Sequence, residues 1–227
     1  DDCSSRGLGD VYKRQSPISN KGELILEDFK KLLSPKTKLI AISHVSNTLG
    51  TINPIEEVIK ISKEYNCKIL IDAAQSVPHF GINVSKLNCD FLVFSGHKIF
   101  APTGTGILYV KKDRYTEMKP YQGGGDMIKE VSFEKTTFNS PPHKFEAGTP
   151  NIAGIIGLGA AIDYVNSIGI EQVYQIEEEL LKYATEKISS IKDIKIYGNA
   201  EKKASVISFN LKNSHPFDVG TLLDQMG

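Results

Sequence analysis

Apolar and polar positions change period along this chain, from unbroken apolar runs to stretches in which apolar residues recur every third or fourth place. Lys68-Ile69-Leu70-Ile71 runs into Asp72 with no charge after Lys68, and Phe91-Leu92-Val93-Phe94 runs into Ser95 in the same way. Runs of this kind predict strands that are covered on both faces, inside a parallel sheet. Between an earlier strand at Lys38 to Ile42, ending near His44 and Asn47, and the first of these runs, Ile55, Val58, Ile59 and Ser62 keep helical spacing to Tyr65. Asn53-Pro54-Ile55-Glu56 reads as the start of that helix, with Asn53 as N-cap, Pro54 at the first helical position and Glu56 reaching back as in a capping box. Strand, helix, strand in this order implies a right-handed crossover and a parallel pair. The strand Gly106 to Val110 follows Lys98 too closely for a helical crossover, which predicts that it runs antiparallel to its predecessor. The expected fold class is therefore α/β, with a mixed, mostly parallel sheet flanked by helices.

The remaining pattern adds helices and a second group of strands. Gly22 to Leu33 reads as a short amphipathic helix. Ile152 to Val165, rich in Ala and Gly with few charges, suits a helix packed tightly against the sheet or a second subunit. From Ile170 to Ile191, Val173, Ile176, Leu180, Ala184 and Ile188 mark one face of a long helix and put Glu177 to Glu179 on its solvated side. Ile194 to Tyr197 and Ser205 to Leu211 are expected strands. Tyr121 to Asp126 and Asn139 to His143 are expected loops, and Gly123 to Gly125 form either a flexible turn or a place where a ligand or subunit comes close. No internal repeat or low-complexity segment occurs.

Composition narrows the function classes. A chain of 227 residues that is 40% hydrophobic can hold one large domain or one and a half. Lys plus Arg equal Asp plus Glu at 27 each, so no overall field draws the protein to nucleic acid or to an anionic membrane. No apolar run approaches the length that spans a bilayer. Three scattered cysteines point to a reducing, cytoplasmic setting, and no Cys or His spacing suggests a bound metal.

The two apolar runs deliver Asp72-Ala73-Ala74-Gln75 and Ser95-Gly96-His97-Lys98 to strand ends, where α/β enzymes keep their chemistry. A lysine withdrawn from water loses solvation of its charged form, which favours the neutral amine that condenses with an aldehyde. A buried carboxylate needs a cationic partner. Pyridoxal phosphate would use both groups, its aldehyde on Lys98 and its protonated ring nitrogen on Asp72. Strand-terminal Asp and Lys also commonly pair with each other or face solvent, so the two positions alone leave catalysis open. Ser95 could instead cap its turn and Asn47 could close a loop.

Five ordered motifs carry a resemblance. Ser46-Asn47-Thr48-Leu49-Gly50-Thr51, Asp72 to Ser76, Cys89 to Lys98, Pro102 to Tyr109 and Phe145 to Asn151 resemble, in unbroken order from about Ser16 to Gly227, the SufS-type cysteine desulfurases. That group belongs to the class V aminotransferases among the fold-type I pyridoxal-phosphate enzymes. The resemblance implies that Lys98 carries the cofactor as a Schiff base and moves the substrate's Cα proton, and that Asp72 pairs with the pyridinium nitrogen. It further implies that Gln75 bonds the phenolic oxygen, Ser95 and His97 donate to the phosphate, and Asn47 lies near the substrate carboxylate and ring oxygen. Thr149 resembles the phosphate contact supplied by a neighbouring subunit, which implies a homodimer. The implied reaction converts L-cysteine to L-alanine and an enzyme persulfide, passed to a sulfur-acceptor protein for iron–sulfur cluster assembly.

The departures bear on what the chain does by itself. In the family a histidine that stacks on the cofactor ring precedes this region, and a loop with the nucleophilic cysteine and a substrate-binding arginine follows it. The chain is therefore expected to be an internal fragment, inactive alone. Residues 1–15 are expected to be a non-native leader, 16–165 part of the large cofactor-binding domain, and 166–227 a connecting helix and the start of a smaller α+β domain. Cys67 and Cys89, at strand beginnings opposite to the site, are expected to be buried structural cysteines. Other cofactor-linked reactions of the same group, by a selenocysteine lyase, transaminase or epimerase, and a scaffold without chemistry that serves as a dimeric interaction partner remain alternatives.

Overall fold

The computed structural model describes residues 13–227. Cys3 and all but Lys13 to Gln15 of the expected leader lie outside them.

The first half of the chain alternates helices and strands as the pattern predicts. Helix α1 (Leu26–Leu32) precedes strand β1 (Leu39–Ser43), helix α2 (Ile55–Glu64), strand β2 (Lys68–Asp72), the single turn α3 (Val84–Leu87), strand β3 (Phe91–Ser95) and strand β4 (Gly106–Val110). These strands form one sheet in the order β1-β2-β3-β4. The first three are parallel, and β4 runs antiparallel to β3. Helix α1 begins later than the Gly22 start expected from amphipathicity, because Gly22 takes φ +85° in a turn closed by its N–H on Ser19 O.

Register puts Ile40, Ile42, Ile69, Ile71, Leu92 and Phe94 on one face of the sheet. That face meets Ile55, Val58, Ile59 and Phe29 in the main core. The helix periodicity of α2 is thus what buries it: Ile55, Val58, Ile59 and Ser62 are all inside. The opposite face carries Leu39, Ala41, Ser43, Leu70, Asp72, Val93 and Ser95, and it is less covered: Leu39, Ala41 and Ser43 are exposed, while Leu70, Asp72 and Val93 are half-buried. The expectation of strands covered on both faces therefore holds for one face only among the described residues.

One further local expectation is corrected. Helix α2 is capped at Pro54 with no side-chain bond, because Asn53 turns its Nδ2 to donate to Ser43 O at 2.8 Å. The Asn53 side chain thus ties the helix start to the end of β1 instead of capping the helix. At the opposite edge of the sheet, Arg114 bonds Asp90 and Glu117, both at 2.7 Å, and Asp90 accepts the Ile69 N–H at 2.9 Å. That network pins the strand beginnings, near Cys67 and Cys89. Both cysteines are buried, as expected.

The hairpin β5 (Ile128–Val131) and β6 (Thr136–Phe138) follows, in a stretch whose polar composition carries no strand signal. Helix α4 (Ile152–Ile168) packs Leu158 and Ala161 with Ile99 and Ala101 in a second core, which shares Val77 and Phe94 with the first. Two of its glycines serve this approach: a Cβ on Gly154 would lie 2.6 Å from Thr105 Cγ2, and one on Gly157 2.8 Å from Pro102 Cγ. A bend of 71° at Gly169 leads into helix α5 (Ile170–Ser189). An antiparallel hairpin of β7 (Ile194–Tyr197) and β8 (Ser208–Leu211), then helix α6 (Pro216–Met226), complete the chain. Strand β8 starts three residues later than the expected Ser205, since Lys202 to Ala204 are engaged elsewhere, on the Asn47 loop.

Candidate active site

Three parallel strands end side by side, and the predicted site residues gather at those ends. Ser43 is in register with Asp72, and Asp72 with Val93. The chain stays tied as it leaves the sheet: His44 N–H donates to Asp72 O at 2.8 Å, and Ala73 N–H to Val93 O at 2.8 Å. Asp72 is half-buried, on the less covered face. Its Oδ1 accepts the Ala74 N–H at 2.9 Å, the bond by which an Asp organises a following turn. The turn closes through Ser76, fully buried, whose hydroxyl donates to Ala73 O at 3.1 Å. Gln75, half-buried, sits at the head of this turn, three residues from Asp72.

Lys98 lies in a short 3₁₀ turn, Gly96–Ile99, directly after β3. Gly96 N–H donates to Thr105 O at 2.9 Å. A Cβ there would collide with Thr105 Oγ1 and stand 3.2 Å from Ala101 Cβ, so any side chain at this position would have to displace Thr105. With Gly96 and Ile99 buried, the turn is anchored on both sides of His97, which is exposed, and Lys98, which is half-buried. Ser95 makes no side-chain capping bond to this turn, which removes the capping alternative and leaves its hydroxyl available.

Asp72 and Lys98 do not pair with each other. Among the described residues neither takes part in any ion pair, and the Lys98 amine has no hydrogen-bond partner. The simplest structural role for an Asp and a Lys at neighbouring strand ends is thereby absent.

Asn47 is exposed on the loop after β1. The loop is closed by other groups, with Ser46 Oγ accepting the Leu49 N–H at 3.1 Å and Ser46 N–H donating to Thr51 O at 2.9 Å. Asn47 Oδ1 accepts only the hydroxyl of Thr48, at 3.3 Å. Thr149 is exposed in the segment before α4, whose N-cap is Asn151, and it forms no hydrogen bond to the other predicted residues. Lys98, Asp72, Gln75, Ser95, His97 and Asn47 thus share one edge of the sheet, and Thr149 comes from a different segment, the one that leads into α4. No group of residues able to hold a metal occurs among the described residues.

Two features escaped the sequence pattern. His44, one residue past β1, is only 8% exposed, and its Nδ1 has no partner. Burial pushes its imidazole down to about 4, the Glu56 carboxylate opposing weakly, and its ring meets Phe80 edge-on at 5.1 Å. Its position after a strand was the only available signal. The second is Glu177, expected on a solvated face of α5. It is half-buried and bonds His79 Nδ1 at 2.6 Å. Burial also raises the thiols of Cys67 and Cys89 above the ordinary range.

The family model described as aminotransferase class V matches residues 12–227. A cysteine desulfurase of Salmonella agona (strain SL483) is 49% identical over 226 residues, 99% of this chain and 55% of that protein. Among solved structures, the apo cysteine desulfurase from Thermococcus onnurineus NA1 superposes with a TM-score of 0.88 at 40% identity, over 94% of this chain and 54% of that one. The cysteine desulfurase CsdA from Escherichia coli does so with a TM-score of 0.89 at 32% identity, over 94% and 53%. The chain spans about half the length of the curated relatives it matches.

Proposed function

This chain belongs to the class V aminotransferase family, and on that premise we propose that its protein is a pyridoxal-phosphate-dependent cysteine desulfurase. The observation that carries the reading is a pair of half-buried groups at neighbouring strand ends, neither of them in an ion pair: the Lys98 amine, which has no hydrogen-bond partner, and the Asp72 carboxylate, which accepts only the Ala74 N–H.

The donor set fits pyridoxal phosphate. An amine with no hydrogen-bond or ion-pair partner suits an aldehyde carbon, and a carboxylate with a backbone N–H on one oxygen and no cation beside it suits a protonated ring nitrogen. When bound, the cofactor supplies an electron sink beside the substrate's Cα. Lys98 Nζ would hold the aldehyde carbon, then accept the proton at Cα and return it. Asp72 would accept the ring N–H, oriented by its bond from Ala74. Gln75 would donate to the phenolic oxygen, and Ser95 Oγ and His97 to the phosphate, a dianion that needs several such contacts. Asn47 would bind the substrate carboxylate. Thr149, which is exposed, would reach the phosphate of a neighbouring subunit in a homodimer.

In the net reaction a protein thiol attacks the sulfur of L-cysteine, the Cβ–S bond breaks with its electron pair left on Cβ, Cβ takes up a proton in place of the one lost by the thiol, and a persulfide and L-alanine result. Cys67 and Cys89 are buried at the strand beginnings with their thiols raised, so the receiving thiol is another one. A sulfur-acceptor protein would take the persulfide sulfur in the cytoplasm for iron–sulfur cluster assembly.

The test is alanine release from L-cysteine by the protein expressed from its complete reading frame, with and without Lys98→Ala. Loss of release together with loss of covalently held cofactor is the expected result. Undiminished release in the variant would sink the assignment.

A further inference from the structure

The turn that carries Gln75 is held from two sides. Its start hangs on Asp72 and Ala73. Its end is attached to helix α5, across 98 residues of sequence, by the His79–Glu177 bond at 2.6 Å. With the Glu177 carboxylate ionised, His79 Nδ1 must be the donor. One residue along, Phe80 meets Tyr174 edge-on at 6.2 Å. Tyr174 and Glu177 are three apart on α5, so one helix face makes both contacts. The two side chains are only 16% and 28% exposed.

Glu177 also reaches the other site loop. Its carbonyl accepts Ser205 Oγ at 2.9 Å, and the residues just before Ser205 pair with the loop that bears Asn47: Ala204 N–H donates to Gly50 O at 2.8 Å, and Ile52 N–H to Lys202 O at 2.9 Å. The hydroxyl of Ser208 donates to Thr48 O as well. The circuit closes through His44, which lies between β1 and the Asn47 loop and packs on Phe80.

We propose that His79 and Glu177 are positioning residues that couple the Gln75 turn to the Asn47 loop through α5 and the segment 202–208, so that the two loops hold their places together. The consequence for cofactor and substrate rests on the functional reading above; the coupling itself does not.

Hydrogen exchange on the protein from its complete reading frame, with no pyridoxal phosphate added, tests the coupling. In His79→Ala the Phe80 amide exchanges roughly ten-fold faster, the effect of losing one charge-assisted hydrogen bond in a partly exposed setting. The Ile52 and Ala204 amides, in the other loop and its partner segment, speed up with it, while the β2 amides do not. Glu177→Gln keeps an acceptor for His79 and stays within about two-fold of the parent. The double variant His79→Ala, Glu177→Ala matches the singles instead of adding to them. Unchanged exchange at Ile52 and Ala204, additive effects, or a uniform rise that includes β2 would each overturn the proposal. The functional consequence is read separately as the Kd for pyridoxal phosphate, expected to rise roughly ten-fold in His79→Ala. An unchanged Kd beside loosened loops would overturn the role in holding Gln75. A parent that binds no pyridoxal phosphate would overturn the functional reading, and the exchange result would still decide the coupling.

Discussion

His44 makes the stability of this protein depend on acid in a way that one substitution should remove. The imidazole is buried, its Nδ1 unpaired, and burial lowers it from 6.5 to about 4. Between those two values the unfolded chain binds a proton that the folded chain does not, so stability falls as pH drops through the window and is fully present above it. Each pH unit inside the window is worth about 1.4 kcal/mol, which gives on the order of 3 kcal/mol across it. Urea denaturation followed by circular dichroism, from pH 7.5 to 4.5, compares the parent with His44→Phe. The phenyl ring keeps an edge for Phe80 and removes both the titration and the unpaired nitrogen. Carboxylates titrate in both proteins and cancel in the difference. With a denaturant slope of about 2–3 kcal/mol per molar, the parent midpoint should fall by roughly 1 M more than that of the variant. Parallel curves over this range would refute the reasoning, because they would mean that His44 is not held neutral in the fold.

Gly96→Ala should destabilise the protein by about 1–3 kcal/mol and weaken cofactor retention, since the new Cβ would press on Thr105 Oγ1, itself bonded to Pro102 O at 2.8 Å; thermal denaturation and the absorbance of the loaded protein check both, and an unshifted melting curve would count against the close packing of the Lys98 turn. Cys67 and Cys89 should react slowly with iodoacetamide in the folded protein and rapidly in urea, because burial both covers them and raises their thiols. Replacing both by Ser should leave alanine release within about two-fold of the parent if the protein stays folded, and loss of release without loss of folding would show that one of them takes the sulfur.

The elements that depend on neighbours in sequence were legible without coordinates. The apolar runs at Ile69–Ile71 and Phe91–Phe94 became strands, and the short link after Lys98 forced β4 to run antiparallel. Ile55, Val58, Ile59 and Ser62 became the buried stripe of α2. These follow from backbone hydrogen bonding and from the periods at which a helix or strand presents its side chains. The chemistry-bearing positions Asp72 and Lys98 were legible for the same reason, because strand ends fall where apolar runs stop. Pattern could not settle what the groups at those ends touch. Asn53 leaves its cap for Ser43 O, Ser95 makes no capping bond, and the less covered sheet face is the one that carries Asp72. The periodicity of α5 pointed Glu177 at water, and only the rotation of that helix against the Gln75 turn brought it to His79. Whether two groups meet across 98 residues depends on how whole elements pack, and packing is set by the summed fit of many side chains, which no local period contains.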